Sequence, residues 1–227
     1  MKPKDKTKKQ IFLVEDHPVT REGFAQLLNY QSDMQVCGEA GSAKQALVGI
    51  HTTHPDLVII DLTLNEGNGI DLIKDIRAIH EHLPILVFST HDESLYAERV
   101  LRAGAQGYVM KQAPTNQVMT AIRQLLRGEI FLSETMRTKL VHQHLHGATA
   151  IQTTGVEALS NRELEIFRQI GVGKSTRQIA ADLNVSVSTI ETHRAHIKEK
   201  LGLRNASELM RRAVEWTHCQ ADNPSTK

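Results

Sequence analysis

Between Ile11 and Arg127 the chain repeats one unit five times: a short run of Val, Ile and Leu, then an amphipathic segment. Short β-branched runs that alternate with segments of helical period are the pattern of strands buried on both faces of a parallel sheet. Strands are expected at Ile11–Glu15, Met34–Ala40, Leu57–Asp61, Ile85–Ser89 and Gly107–Lys111. The intervening helices are expected over about Thr20–Asn29, Ser42–His51, Gly69–His80, Leu95–Ala103 and Asn116–Arg127. Parallel neighbours require crossovers, and right-handed crossovers place helices on both faces of the sheet, which gives a doubly wound α/β layer.

After Arg127 this pattern stops. Ser133–Leu145 can form a helix, and Gly147–Gly155, rich in Thr, Ala and Gly, reads as a linker. Beyond Leu159 the period is helical throughout. Ser160 followed by Glu163 is a capping box that opens a helix to Ile170, and Gly171–Gly173 ends it. A second helix over Ser175–Leu183, a turn at Asn184–Val185 and a third helix from Ser188 to Leu201 have helix-turn-helix spacing, with a fourth helix over Ala206–Trp216. With 227 residues, each half can bury its own core. The expected organisation is a basic tail at 1–9, an α/β domain at 10–130, a linker helix and flexible linker at 131–154, an all-α domain at 155–220 and a tail at 221–227.

Charge separates the halves. Residues 11–132 hold 9 Lys and Arg against 15 Asp and Glu, a net of −6, whereas residues 157–220 hold 10 against 8, a net of +2. An acidic half is a poor partner for a phosphate backbone, so any nucleic-acid role falls to the C-terminal half. Apolar runs such as Leu57–Ile60 are far too short to span a bilayer, and the Lys-rich start precedes only Ile11–Val14 before a charge, so no membrane span or signal peptide is expected. Cys37 and Cys219 are far apart and lack zinc-type spacing, which fits a reduced, cytoplasmic protein.

Glu15 and Asp16 end the first strand and Asp61 ends the third. With flavodoxin-like strand order these strands are neighbours at the switch point, where ligands bind beyond the carboxyl ends. An isolated acidic pair can also simply cap the following helix. Three converging carboxylates, however, repel one another, and a hard divalent cation such as Mg²⁺ is their natural occupant. The ion would also screen an incoming phosphoryl group from an attacking carboxylate. Ser89 and Lys111 end strands four and five, so a hydroxyl and an ammonium reach the same rim, each suited to one phosphoryl oxygen.

Val14-Glu15-Asp16-His17-Pro18, Asp61-Leu62 with Gly69 eight residues on, Phe88-Ser89-Thr90-His91-Asp92 and Gly104-Ala105-Gln106-Gly107-Tyr108-Val109-Met110-Lys111 together resemble a receiver domain, most closely in the NarL/FixJ branch of response regulators. The resemblance implies that Asp61 accepts a phosphoryl group from a sensor histidine kinase. It implies that Glu15, Asp16, Asp61 and the Thr63 carbonyl hold Mg²⁺, that Lys111 contacts the phosphoryl group, and that Ser89 and Tyr108 are the switch pair. Two departures stand out: Leu64-Asn65-Glu66 replaces a common Met-Pro-Gly, and Glu15 stands where Asp is common. Neither removes a required side chain.

Residues 159–216 resemble a LuxR-type DNA-binding domain, through Leu159-Ser160-Asn161-Arg162-Glu163, Gly173-Lys174-Ser175-Thr176-Arg177-Gln178-Ile179-Ala180, Ser186-Val187-Ser188-Thr189-Ile190-Glu191-Thr192-His193 and Lys200-Leu201-Gly202. Ile179, Ala180, Leu183, Val185, Ile190 and Ile197 recur at core spacing. Thr189, Glu191, Thr192, Arg194, Ala195 and Lys198 are expected to project toward a major groove, and His193 is counted with this DNA-contacting set. Lys174, Ser175 and Arg177 suit phosphate contacts. Glu191 is repelled by phosphate unless it accepts from a cytosine amino group or pairs with Arg194, and the sequence leaves both open.

Three decoys are set aside. Gly173-Lys174-Ser175 lacks the upstream glycine of a P-loop and follows a helix. His142, His144 and His146 read as exposed polar residues, and Asn205-Ala206-Ser207 is a sequon in form only. The expectation is therefore a flavodoxin-like receiver with a five-stranded parallel sheet plus a helix-turn-helix domain. Such a chain would be a non-enzymatic regulator of transcription that dimerises on paired half-sites of double-stranded DNA, with RNA polymerase a further partner. The rival readings are a phosphatase or phosphotransferase using Asp61 as nucleophile, and an interaction module that no longer binds DNA.

Overall fold

The computed structural model describes residues 8–64, 68–145, 155–183 and 185–221. The chain divides into two units, Met1–Gly147 and Ala148–Lys227.

In the first unit, β1 (Lys9–Val14), β2 (Met34–Ala40), β3 (Leu57–Ile60), β4 (Ile85–Ser89) and β5 (Gly107–Met110) form one parallel sheet in the order β2-β1-β3-β4-β5. The alternating helices are α1 (Pro18–Asn29), α2 (Ala43–Thr53), α3 (Gly69–Ile79), α4 (Glu93–Ala103) and α5 (Thr115–Leu126). Every expected strand is found within two residues of its predicted ends. The order confirms the doubly wound, flavodoxin-like expectation, with β1 and β3 paired in register from Ile11↔Leu57 to Val14↔Ile60. All four residues of β3 are buried, as are Ile11–Val14 of β1, because helices cover both faces. Each such Ile, Leu or Val side chain contributes on the order of 2 kcal/mol by leaving water. This rigid layer fixes where the residues beyond each strand emerge.

Helix starts are set by local chemistry. Ser42, Asn68 and Asp92 cap α2, α3 and α4 by accepting from backbone N–H groups of Gln45, Ile70 and Ser94. Gly69 opens α3 directly against the third strand's end: a Cβ there would lie 2.6 Å from the Asp61 carbonyl oxygen, so no larger residue lets α3 begin this close to the rim. Beyond α5, Phe131 joins the sheet edge by a bridge to Gly107, and α6 (Glu134–Leu145) follows. The predicted linker helix is thus anchored to this unit at its start, with Met136 buried and the Ser133 N–H donating to Glu93.

The second unit is helical, as expected: a 3₁₀ turn at Val156–Ala158, then α7 (Asn161–Gly171), α8 (Thr176–Asp182), α9 (Val187–Lys200) and α10 (Ala206–Ala221). Ser160 and Ser175 each form a complete capping box, with Glu163 and Gln178 reaching back. Leu164, Ile166, Phe167, Ile170, Ile179, Ile190, Ile197, Leu209 and Ala213 form its core. Gly171 lets α10 approach α7, since a Cβ there would lie 2.5 Å from the Ala213 carbonyl oxygen.

Candidate functional site

Four strand ends build the acidic rim. Glu15 and Asp16 follow β1, and Asp61 follows β3, held by its N–H donating to the Val14 carbonyl at 2.9 Å. Ser89 closes β4, and Lys111 follows β5 with its N–H on the Ser89 carbonyl at 2.8 Å. All three carboxylates and Ser89 are buried. Buried carboxylates need compensation, and Lys111 supplies part of it: its ammonium lies 2.8 Å from Asp61 Oδ2 and 2.5 Å from Glu15 Oε2. Burial on its own would lower the Lys111 pKa. Its bonds to Asp61, and then to Glu15, outweigh that and hold the ammonium above its ordinary value.

Asp16 is compensated less well. Its Oδ1 lies 2.7 Å from His17 Nδ1 but is not aligned for a hydrogen bond, and this oxygen is buried with no hydrogen-bond partner. A buried acceptor in that condition is suited to a cation. The Thr63 N–H donates to Asp61 Oδ1 at 3.2 Å, which turns the chain at Thr63 back toward the carboxylate. Asn65 and Glu66 lie outside the described residues.

Tyr108 is turned inward, fully buried, and its hydroxyl donates to the His91 carbonyl at 2.7 Å. Burial, reinforced by Tyr96, holds its phenol far above the ordinary range, so it stays a neutral donor. The motif Phe88-Ser89-Thr90-His91-Asp92 by itself assigns His91 no role. In the structure its N–H donates to Ser89 Oγ at 3.4 Å, its Nε2 lies 3.0 Å from Thr63 Oγ1, and its ring stacks on Tyr96. His91 therefore links both members of the expected switch pair to the loop after Asp61. Its position two residues after Ser89 was the only available signal.

In the second unit α8 and α9 present the candidate DNA-reading surface. The buried stripe of α9 is Ile190 and Ile197, and Thr189, Glu191, Thr192 and Ala195 are exposed, as expected. Arg194 departs from the expectation: its side chain is only 14% exposed and turns back to α8, donating to Thr176 Oγ1 at 2.6 Å. Glu191 accepts from Thr176 at 3.0 Å and lies 3.9 Å from Arg194, so in the free protein it is paired with its neighbours. His193 also departs. It lies on the side of Ile190 and Ile197, and its Nδ1 is fully buried. Lys198 is half-buried, Arg177 is exposed, and Lys174 pairs with Asp182 at 2.6 Å. Ser175 serves as the α8 cap, and Gly173 with φ +85° lies in the turn that precedes it.

Residues 11–123 match the family described as "Response regulator receiver domain", and residues 157–213 match "Bacterial regulatory proteins, luxR family". The chain is 36% identical over 210 residues to the oxygen regulatory protein NreC of Staphylococcus aureus (strain JH9), covering 91% of this chain and 97% of that one. Among solved structures it is similar to a LuxR-family two-component response regulator from Aurantimonas sp. SI85-9A1, with 32% identity, a TM-score of 0.57, and coverage of 61% of this chain and 99% of that one. It is also similar to a structure of two RcsB dimers bound to two parallel DNAs, with 25% identity, a TM-score of 0.55, and coverage of 92% and 98%. Among the described residues no helix is long and apolar enough to cross a membrane.

Proposed function

Because the chain belongs to the two-component response regulators of the NarL/FixJ type, DNA-binding proteins that join a receiver to a LuxR-type domain, we propose that Asp61 is its phosphoryl acceptor and that α9 carries its DNA-reading surface. One arrangement supports the first half: buried Glu15 and Asp61 meet on the Lys111 ammonium where β1, β3 and β5 end, with Asp16 buried beside Glu15.

Receiver domains generally bind Mg²⁺ at the phosphorylation site. Here Glu15, Asp16, Asp61 and the Thr63 carbonyl are the proposed holders, an all-oxygen set in keeping with a hard cation, and Asp16 Oδ1 is a buried acceptor with no hydrogen bond. When bound, the ion supplies charge that screens the carboxylates from the phosphoryl group. An Asp61 oxygen attacks phosphorus, and the bond to a phosphohistidine nitrogen of a sensor histidine kinase breaks, its electron pair leaving with that nitrogen. Lys111 then exchanges part of its hold on Asp61 and Glu15 for a phosphoryl oxygen, and the Ser89 hydroxyl takes another. The inward Tyr108 and its bond to His91 carry this movement toward α4.

For the second half, Thr189, Thr192 and Lys198 on α9, with Glu191 and Arg194 once freed from Thr176, are the proposed base and backbone contacts. Lys174, Ser175 and Arg177 are the proposed phosphate contacts. The protein acts as a homodimer on paired operator half-sites in the cytoplasm, contacts RNA polymerase, and turns over no substrate beyond its own slow dephosphorylation. The functional borders we assign are a receiver at 10–130, a linker at 131–154 and a DNA-binding domain at 155–220, between tails at 1–9 and 221–227.

The test is incubation with acetyl phosphate and Mg²⁺, borohydride reduction and peptide mass spectrometry. The expected result is one modified aspartate, Asp61. Modification at another residue, or none with or without Mg²⁺, overturns the assignment.

A further inference from the structure

Apart from the rim, a second set of metal-ligand atoms gathers among the described residues, within the DNA-binding unit. Glu163 on α7 and His193 and His196 on α9 offer a carboxylate oxygen and two imidazole nitrogens that all lie within 4.8 Å of one another. The two histidines are three residues apart on one helix, so they share a face. We propose that these three side chains form a binding site for a transition-metal ion of the Zn²⁺ class, and that the ion ties α9 to α7.

The ligand set carries the choice of ion. Two imidazoles and one carboxylate are the donors of open zinc sites, where water completes the fourth position. Imidazole suits Zn²⁺, Cu²⁺ and Ni²⁺, whereas Mg²⁺ and Ca²⁺ favour all-oxygen sites such as the rim in the other unit. The three residues also differ in access in a useful way. Glu163 is buried and held in place by the capping box of α7, where its side chain accepts from the Ser160 N–H. His193 is half-buried, and His196 is exposed and free to close over an ion from the solvent side.

One further observation favours a ligand. His193 Nδ1 is fully buried and takes no hydrogen bond, so the ring has an unmet polar atom. Lys200 already lies 2.6 Å from Glu163, as a competing cation. Its bond and that of the Ser160 N–H both end on Oε2, so coordination through Oε1 breaks neither. The Lys200 side chain is 39% exposed, and its ammonium can swing into water as an ion enters.

The experiment titrates Co²⁺ into the full chain carrying H142A, H144A and H146A, with excess Mg²⁺ to fill the acidic rim. Intense visible bands, at one equivalent, are expected for a tetrahedral nitrogen-bearing site, and Zn²⁺ should abolish them. Zn²⁺ should also raise the unfolding midpoint of the DNA-binding unit. His196→Gln changes an exposed side chain and leaves the core intact. It should weaken Co²⁺ binding by more than about tenfold, the least that follows even when an outer-sphere partner of a metal ligand is lost, and should remove the Zn²⁺-dependent rise. Equal Co²⁺ affinity in His196→Gln, or no intense band in the parent, overturns the site.

Discussion

The acidic rim and the α9 face place their functional side chains by different means. At the rim, Glu15, Asp16, Asp61, Ser89 and Lys111 sit at or just beyond the ends of paired strands, so the sheet register sets their positions, and four of the five are buried. On α9, Arg194 and Glu191 reach across to Thr176 on α8, and long side chains select partners that their helix position alone does not dictate. A backbone-positioned site is pre-organised and intolerant of change. A side-chain-positioned surface can release one partner and take another, as a protein that meets DNA must.

The largest expected effect falls on the rim. Asp61→Asn keeps the shape and removes the nucleophile, so labelling by a phosphodonor should fall to background with the far-ultraviolet circular dichroism unchanged. Labelling at the parental level would mean that another residue is the acceptor and that the rim is merely an ion-pair cluster.

Lys111→Ala tests pre-organisation by stability. It leaves Glu15 and Asp61 buried without their shared ammonium, and removing one partner of a buried pair typically costs about 3–5 kcal/mol. Since 15% of the Lys111 side chain is exposed, the lower end is expected, roughly 3 kcal/mol in urea unfolding of the receiver. Added Mg²⁺ should recover much of that loss, and some labelling should persist. A loss below about 1 kcal/mol that Mg²⁺ does not change would place Lys111 among ordinary surface pairs.

The same contrast governs what could be read from the chain. The five strands and the placement of Glu15, Asp16, Asp61, Ser89 and Lys111 at or just beyond their ends follow from apolar period and parallel topology, which act through the backbone. The bond from Lys111 to Glu15, the His91 contacts with Thr63 and Tyr108, and the turn of Arg194 toward Thr176 were not legible. Each depends on a rotamer chosen by neighbours distant in sequence. His193 follows Thr192 of the reading face, yet one further step of about 100° along the helix brings it round to the side of Ile190 and Ile197.

On α9 the comparison is sharpened by two variants. Lys198→Ala should weaken binding to all sequences alike and lower the salt slope by roughly one, as for a phosphate contact. Arg194→Ala removes a side chain that must first leave Thr176. If it then reads a base, specificity should relax at one position, at a cost of about 1–3 kcal/mol. Operator titrations at several salt concentrations separate these outcomes. If neither variant changes affinity, α9 does not face DNA.

The smallest effect concerns Ser175, where a phosphate contact was expected and a helix cap is found. Its Oγ accepts from the Gln178 N–H at 3.4 Å and lies 2.8 Å from Gln178 Oε1, while its own N–H donates to the same Oε1. Ser175→Ala should therefore cost about 1 kcal/mol of stability in the DNA-binding unit. Ser175→Asn provides the decisive arm, because asparagine caps as well as serine but has no hydroxyl. If capping is the whole role, Asn restores both stability and DNA affinity at fixed salt. If the hydroxyl also meets a phosphate, Asn restores stability while affinity stays reduced. Ser175 would then belong with Arg194, as a residue that holds the free fold together and is partly released to DNA. Full stability in Ser175→Ala would remove the cap from the account and leave phosphate as its only partner.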